Sequence, residues 1–116
     1  MFPYENLEVY KKAYSVNQIV YRLLKNNKSI PGYANDQLGR ASLSIMLNIA
    51  EGSAKFSNKD RRNFYVTARG STFECAALIT FLRGENEMAT EMFEELKKEY
   101  DSLSRMLFAM IRNLEE

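Results

Sequence analysis

Histidine and tryptophan are absent from the 116 residues, cysteine occurs once and proline twice. Without histidine there is no Ser-His or Cys-His nucleophile pair, no zinc site built on imidazole and no carboxylate–histidine di-iron helix. A lone cysteine excludes an internal disulfide and fits a reducing compartment. No run approaches the ~20 apolar residues that cross a bilayer. The opening Met1-Phe2-Pro3-Tyr4-Glu5 lacks a signal-peptide pattern. These absences predict a cytoplasmic protein that is not an enzyme, with no cofactor, no metal and no membrane partner. The length suits one domain with a single hydrophobic core.

What is present is helical spacing. No stretch alternates with period two for long enough to argue a strand, and the few breaks cluster. Val9, Ala13, Val16, Val20 and Leu23 alternate steps of four and three, with Asn6 as the expected N-cap. Pro31-Gly32 breaks the chain before a second helix. Ser57-Asn58-Lys59-Asp60 approximates a capping box for a third, whose expected core stripe is Phe64, Ala68, Ser71, Cys75, Leu78 and Leu82. Gly84 is expected to end it. Phe93, Leu96, Tyr100, Leu103, Leu107, Met110 and Leu114 form a heptad-like fourth stripe. Helices over about 7–26, 34–52, 58–83 and 90–115 predict one all-α domain, an up-down-up-down antiparallel four-helix bundle over residues 1–116.

The second helix is too apolar for one core. On a wheel of 100° per residue, Ala41, Ile45, Ile49, Leu38, Met46, Ala50, Leu43 and Leu47 cover an arc of about 240°, against the ~100° that a bundle core uses. Two faces therefore want burial, and a second subunit is the simplest cover for the outer one. Arg40, Ser44, Asn48 and Glu51 occupy the remaining stripe, and Arg69, Ser71 and Glu74 form a short polar series on the third helix. Arg40 or Arg69 is expected to pair with Glu51 or Glu74, the alternative being solvation at a helix edge. Gly70 costs about 1 kcal/mol relative to alanine in mid-helix, and close approach of another backbone would offset that.

These same residues carry a resemblance. Gln37-Leu38-Gly39-Arg40-Ala41, Ser44-Ile45, Asn48-Ile49-Ala50-Glu51-Gly52 and Gly70-Ser71 with Glu74 resemble the 23S rRNA-intervening sequence proteins of bacteria, and Leu7-Glu8-Val9-Tyr10-Lys11-Lys12-Ala13 fits that family's first helix. The resemblance runs from about Leu7 to Leu82. It implies a small four-helix bundle without enzymatic activity and, from related proteins including the accessory variability determinant of diversity-generating retroelements, a pentameric ring and a link to nucleic acid.

Charge supplies the functional reading. Residues 1–83 carry 12 Lys and Arg against 6 Asp and Glu, and residues 84–116 carry 4 against 9, so a net charge of +1 hides a basic and an acidic portion. Lys55, Lys59, Arg61, Arg62 and Arg69 around the start of the third helix, with Lys11 and Lys12 on the first, are the candidate nucleic-acid-binding residues. RNA is the favoured partner, and Phe56 or Tyr65 is the expected exposed ring for base stacking, Phe64 being core. The alternative is a structural or adaptor protein that binds another protein, with no nucleic-acid contact. Cys75 lies on the core stripe and reads as a buried small hydrophobe.

Overall fold

The computed structural model describes residues 1–115. After a 3-10 turn at Pro3–Asn6 come four helices: α1 (Glu8–Asn26), α2 (Gly32–Ser53), α3 (Asn58–Gly84) and α4 (Thr90–Asn113). Among the described residues there is no strand, and no helix is long and apolar enough to cross a membrane.

Side-chain bonds fix the directions. Asn35, at the start of α2, donates to the carbonyl of Leu24 at the end of α1, while mid-helix Asn17 donates to the carbonyl of Ser42. Ser44 of α2 meets Ser71 of α3, and Gln37 meets Glu74. Arg69 of α3 reaches the carbonyl of Ser104 on α4, and Lys12 of α1 pairs with Glu99 of α4. Each neighbour therefore runs antiparallel to the last. α1 packs on α2 and α4, α3 packs on α2 and α4, and the diagonal pairs are held apart by the core. This is the up-down-up-down bundle that the four stripes predict.

Local chemistry sets the helix ends. The Ser57 hydroxyl accepts from the amide of Asp60 at 3.1 Å, as its capping-box spacing predicts. Asn6 is not the N-cap of α1: it closes the 3-10 turn, and Leu7 holds the N-cap position without a side-chain bond. Pro31 does more than break the chain. Its carbonyl accepts from the amides of Ala34 and Asn35, so α2 starts at Gly32, earlier than its apolar pattern suggests. α3 ends at Gly84 as expected, but the left-handed residue that closes it is Asn86, with a φ of 59°. The amides of Glu87 and Asn86 then return to the carbonyls of Leu82 and Arg83, a Schellman closure with asparagine in glycine's usual place.

Buried Val9, Ala13, Val16 and Val20 of α1 and Leu96, Tyr100, Leu103 and Leu107 of α4 follow the sequence stripes, whose outer members Leu23, Phe93, Met110 and Leu114 are only partly buried. α3 differs by one step twice: Ile79 is fully buried where the stripe expects Leu78, which is only partly so, and the other difference is at its start. Tyr65 is buried at 5% exposure and Phe64 only partly so. Tyr65 therefore is not the exposed ring, whereas Phe56 in the α2–α3 turn is fully exposed. The reason is Gly52. A Cβ there would meet Tyr65 Cε1 at 2.7 Å and Phe64 Cβ at 3.0 Å, so the end of α2 lies on the Tyr65 ring because residue 52 has no side chain. Gly70, by contrast, has nothing within 4 Å of an added Cβ. The close approach expected at Gly70 occurs instead at Gly52.

Candidate nucleic-acid interface and polar seam

The antiparallel order places the start of α1, the α2–α3 turn, the start of α3 and the end of α4 at one end of the bundle. Lys55, Lys59, Arg61 and Arg62 lie at that end, in the α2–α3 turn and the first turns of α3, with Lys11 and Lys12 in the first two turns of α1 and Arg69 about three turns along α3. They are not equally free. Lys12 is committed to Glu99 at 2.9 Å, Arg62 reaches Glu115 at 3.4 Å, and Lys11 pairs with Glu8 at 3.5 Å. Arg61 Nε donates to the carbonyl of Lys55 at 2.7 Å, which ties the turn to the first turn of α3, and the Lys55 ammonium lies 5.0 Å from the centre of the Phe64 ring. Among the described residues, Lys55, Lys59, Arg61 and Arg69 have no carboxylate at salt-bridge distance. The opposite end carries Glu85 and Glu87 in the α3–α4 turn and Glu91, Glu94 and Glu95 at the start of α4, together with Arg22, Lys25 and Lys28 at the end of α1 and Arg83 at the end of α3. Folding therefore dilutes the charge asymmetry of the sequence: Glu8, Glu51, Asp60 and Glu115 lie at the lysine- and arginine-bearing end and leave it a smaller excess of cations.

The polar residues of α2 and α3 separate into a seam and a surface. Ser44 and Ser71 share a hydrogen bond of 2.8 Å across the α2–α3 contact, and Asn48 Nδ2 donates to the carbonyl and the hydroxyl of Ser44 at 2.8 and 3.0 Å. Gln37 Nε2 donates to the Glu74 carboxylate. Arg40 and Glu51 stay outside this seam, exposed and without an ion pair among the described residues. The expected Arg–Glu pairing between α2 and α3 therefore does not form. Arg69 faces α4 instead, where its Nε donates to the carbonyl of Ser104 at 3.2 Å. Its guanidinium lies 4.8 Å from the centre of Phe73 and 5.3 Å from that of Phe108.

The seam has the chemistry of a latch. Its hydroxyls have no general base beside them, and the one carboxylate present is held by an amide. Cys75, fully buried, is equally withdrawn: burial pushes its thiol up to about 12, a rise that the Tyr100 hydroxyl partly opposes. The Tyr100 hydroxyl is raised in turn, chiefly by burial and then by Cys75. The hydroxyls of Ser42 and Tyr100 lie buried without a hydrogen bond of ordinary geometry. Among the described residues no three Cys, Asp or Glu side chains converge as a metal site would need.

Two apolar surfaces lie outside the core. Leu43 and Leu47 of α2 are half exposed, as the second face of that helix predicts. With Tyr14, Tyr21, Leu24 and Met46, Leu43 borders a groove of about 640 Å³ between α1 and α2, whose charged residues are Arg22 and Lys25. The second surface is on α3. Val66, Gly70, Phe73, Ala77 and Phe81 are all exposed and share the outward side of the helix, with Phe108 of α4 beside them. That stripe was readable as steps of four, three, four and four, but the inner stripe of the same helix has the same period.

The model of the 23S rRNA-intervening sequence protein family matches residues 5–109. A solved structure of a protein of unknown function from the S23 ribosomal protein family of Bacteroides thetaiotaomicron is similar, with a TM-score of 0.85 and 21% identity, over 89% of this chain and 97% of that one. At that identity the likeness is one of fold. No curated protein matches the chain.

Proposed function

From the premise that the chain belongs to the 23S rRNA-intervening sequence protein family, we propose that it is a non-enzymatic, oligomeric, cytoplasmic bundle that binds RNA through its basic end. The observation that carries this reading is the presence of Lys55, Lys59 and Arg61 around the start of α3 and of Arg69 further along it, without carboxylate partners among the described residues. Free amides and the helix dipole at that start add to the attraction for phosphate. Repeating the end around an assembly would add the potentials of its copies.

The oligomer is supported by the outward face of α2. Half-exposed Leu43 and Leu47 beside a 640 Å³ groove make an apolar surface that a monomer leaves wet. The rim cations Arg22 and Lys25 complement the acidic start of α4, so a second copy presenting Glu91, Glu94 and Glu95 is the occupant that fits. Five subunits is the number that the family resemblance implies.

The test is binding of a fluorescent structured RNA across a salt series, for the parent and for Lys55→Glu/Lys59→Glu. Binding that weakens steeply with salt, with the slope reduced by about two in the variant, is expected. Absent binding at low salt, or a slope insensitive to the variant, would favour the adaptor reading, in which the same faces take a protein partner.

A further inference from the structure

The α3–α4 surface combines features that the basic end alone does not explain. Phe73 and Phe108 are exposed at 56% and 50%, far more than core packing leaves an aromatic ring. Arg69 is stacked against both, and Arg112 lies 5.8 Å from the centre of the Phe108 ring. The open groove beside them, about 450 Å³, includes Val66 and Gly70 in its lining, and at its end Arg62 and Glu115, which pair with each other at 3.4 Å and leave Arg69 as its unpaired charge among the described residues. Gly70 is a mid-helix glycine with no neighbour of its own chain to account for it, and its missing side chain keeps the groove open next to the rings.

Two modes of self-association fit this groove poorly. Docked on its own copy, it would set Arg69 and Arg112 against their images. Docked into the α1–α2 groove, it would meet Arg22 and Lys25. Like charges brought together in an interface cost affinity. A ligand that offers flat rings together with negative charge matches both halves of the surface, and unpaired nucleotides do so: bases stack on phenylalanine and arginine planes while phosphates meet the cations. A duplex keeps its bases stacked on one another and presents only its backbone.

Building on the nucleic-acid reading above, we infer that the Arg69–Phe73–Phe108 groove is a stacking platform for unpaired bases, and that the chain prefers single-stranded to duplex nucleic acid. The basic end supplies the phosphate contacts, and the platform supplies the preference.

The inference is tested with a fluorescent 20-nucleotide oligouridylate and with a 20-base-pair RNA duplex. Both are titrated into the parent, Phe73→Leu/Phe108→Leu, Gly70→Leu and Lys55→Glu/Lys59→Glu, with circular dichroism and solution mass recorded for each. The parent is expected to bind the single strand more tightly. The Phe variant is expected to lose about tenfold on the single strand, the effect of one lost stacking contact, with duplex affinity and salt slope unchanged. Gly70→Leu plugs the groove without altering charge and is expected to do the same. Phe108→Trp gives a second readout, because the indole it introduces is the sole tryptophan and should be quenched when a base stacks on it. Equal affinity for strand and duplex, or unchanged single-strand binding in the Phe and Gly variants while the Lys variant fails, overturns the platform and leaves the nucleic-acid reading standing. No binding by the parent overturns both. A lower solution mass in the Phe variant would instead make the groove a contact between copies.

Discussion

A methyl group added at residue 52 and one added at residue 70 should move stability in opposite directions. Both glycines lie within helices, so Gly→Ala gains up to about 1 kcal/mol of helix propensity at either site, less at residue 52 because it lies in the last turn of α2. At Gly70 nothing opposes the gain. At Gly52 the new Cβ would stand 2.7 Å from Tyr65 Cε1 and 3.0 Å from Phe64 Cβ. Neither neighbour yields easily, because the Tyr65 ring is buried and Phe64 Cβ is fixed to the α3 backbone. Overpacking of this kind costs about 1–3 kcal/mol. Gly52→Ala should therefore lose about 1–2 kcal/mol net, a fall in Tm of roughly 4–10 °C for a domain of this size, while Gly70→Ala should raise Tm by a few degrees. Thermal unfolding followed by circular dichroism measures both. Combining Gly52→Ala with Tyr65→Leu should recover part of the loss, since the smaller side chain relieves the clash. A Tm that rises for Gly52→Ala as it does for Gly70→Ala would refute the account of how α2 seats on α3.

Three further perturbations test other parts of the fold. The buried Cys75 thiol, pushed up to about 12 from its ordinary 9.0, keeps its proton in the folded state after the unfolded chain has released it. Stability should therefore be level below about pH 8 and fall from about pH 9 upward, by at most about 1.4 kcal/mol per pH unit from this group, with Tyr100 adding to the fall above its ordinary 10.0; Cys75→Ala should make the alkaline limb shallower in denaturant melts. The Lys12–Glu99 pair, 2.9 Å long and mostly shielded, closes α4 onto α1, and a Lys12→Met, Glu99→Gln double-mutant cycle should return a coupling of up to about 1 kcal/mol. Leu47→Glu should keep the helical spectrum and lower the solution mass, whereas Ile45→Glu, at a fully buried position, should unfold the chain; an unchanged mass for Leu47→Glu would remove the support for assembly through α2.

How much of this was legible in the sequence differs from helix to helix for a physical reason. α1 and α4 each have one apolar stripe and one polar face, so spacing alone picks their buried residues. α2 and α3 are apolar on more than one side, and spacing then gives the period of the stripes without their destination. For α2 the excess of apolar residues was itself the signal, and Leu43 and Leu47 are exposed as that excess predicts. For α3 the inner stripe satisfied the pattern and the outer one, Val66 to Phe81, went unread. Tyr65 and Phe64 differ by one step on the helix, and only the absence of a side chain at Gly52, on another helix, decides which ring lies deeper. The polar residues divided in the same way. Ser44, Asn48 and Ser71 met across the seam, but Arg69 lies on the side of α3 that faces α4, so no pairing toward α2 was open to it.

The helix with two apolar sides is also what joins the fold to the proposed function. The inner side of α3 needs only shape and volume, and it is filled by Ala68, Thr72, Cys75 and Ile79. The outer side contributes nothing to the core, yet it sets Phe73 in water beside arginine and holds a glycine where any helix-favouring residue would fit without a clash. Selection for stability alone would remove both features, because Gly70→Ala gains propensity and an exposed phenylalanine gains no burial. Contact with something outside the monomer is what the proposal above offers for both. The cations around the rings indicate its charge: Arg69 and Arg112 lack carboxylate partners among the described residues, and each already covers part of a phenylalanine ring. A ligand of opposite charge with planar faces satisfies the rings and the guanidinium groups together, and this is why the platform is proposed for unpaired nucleotides.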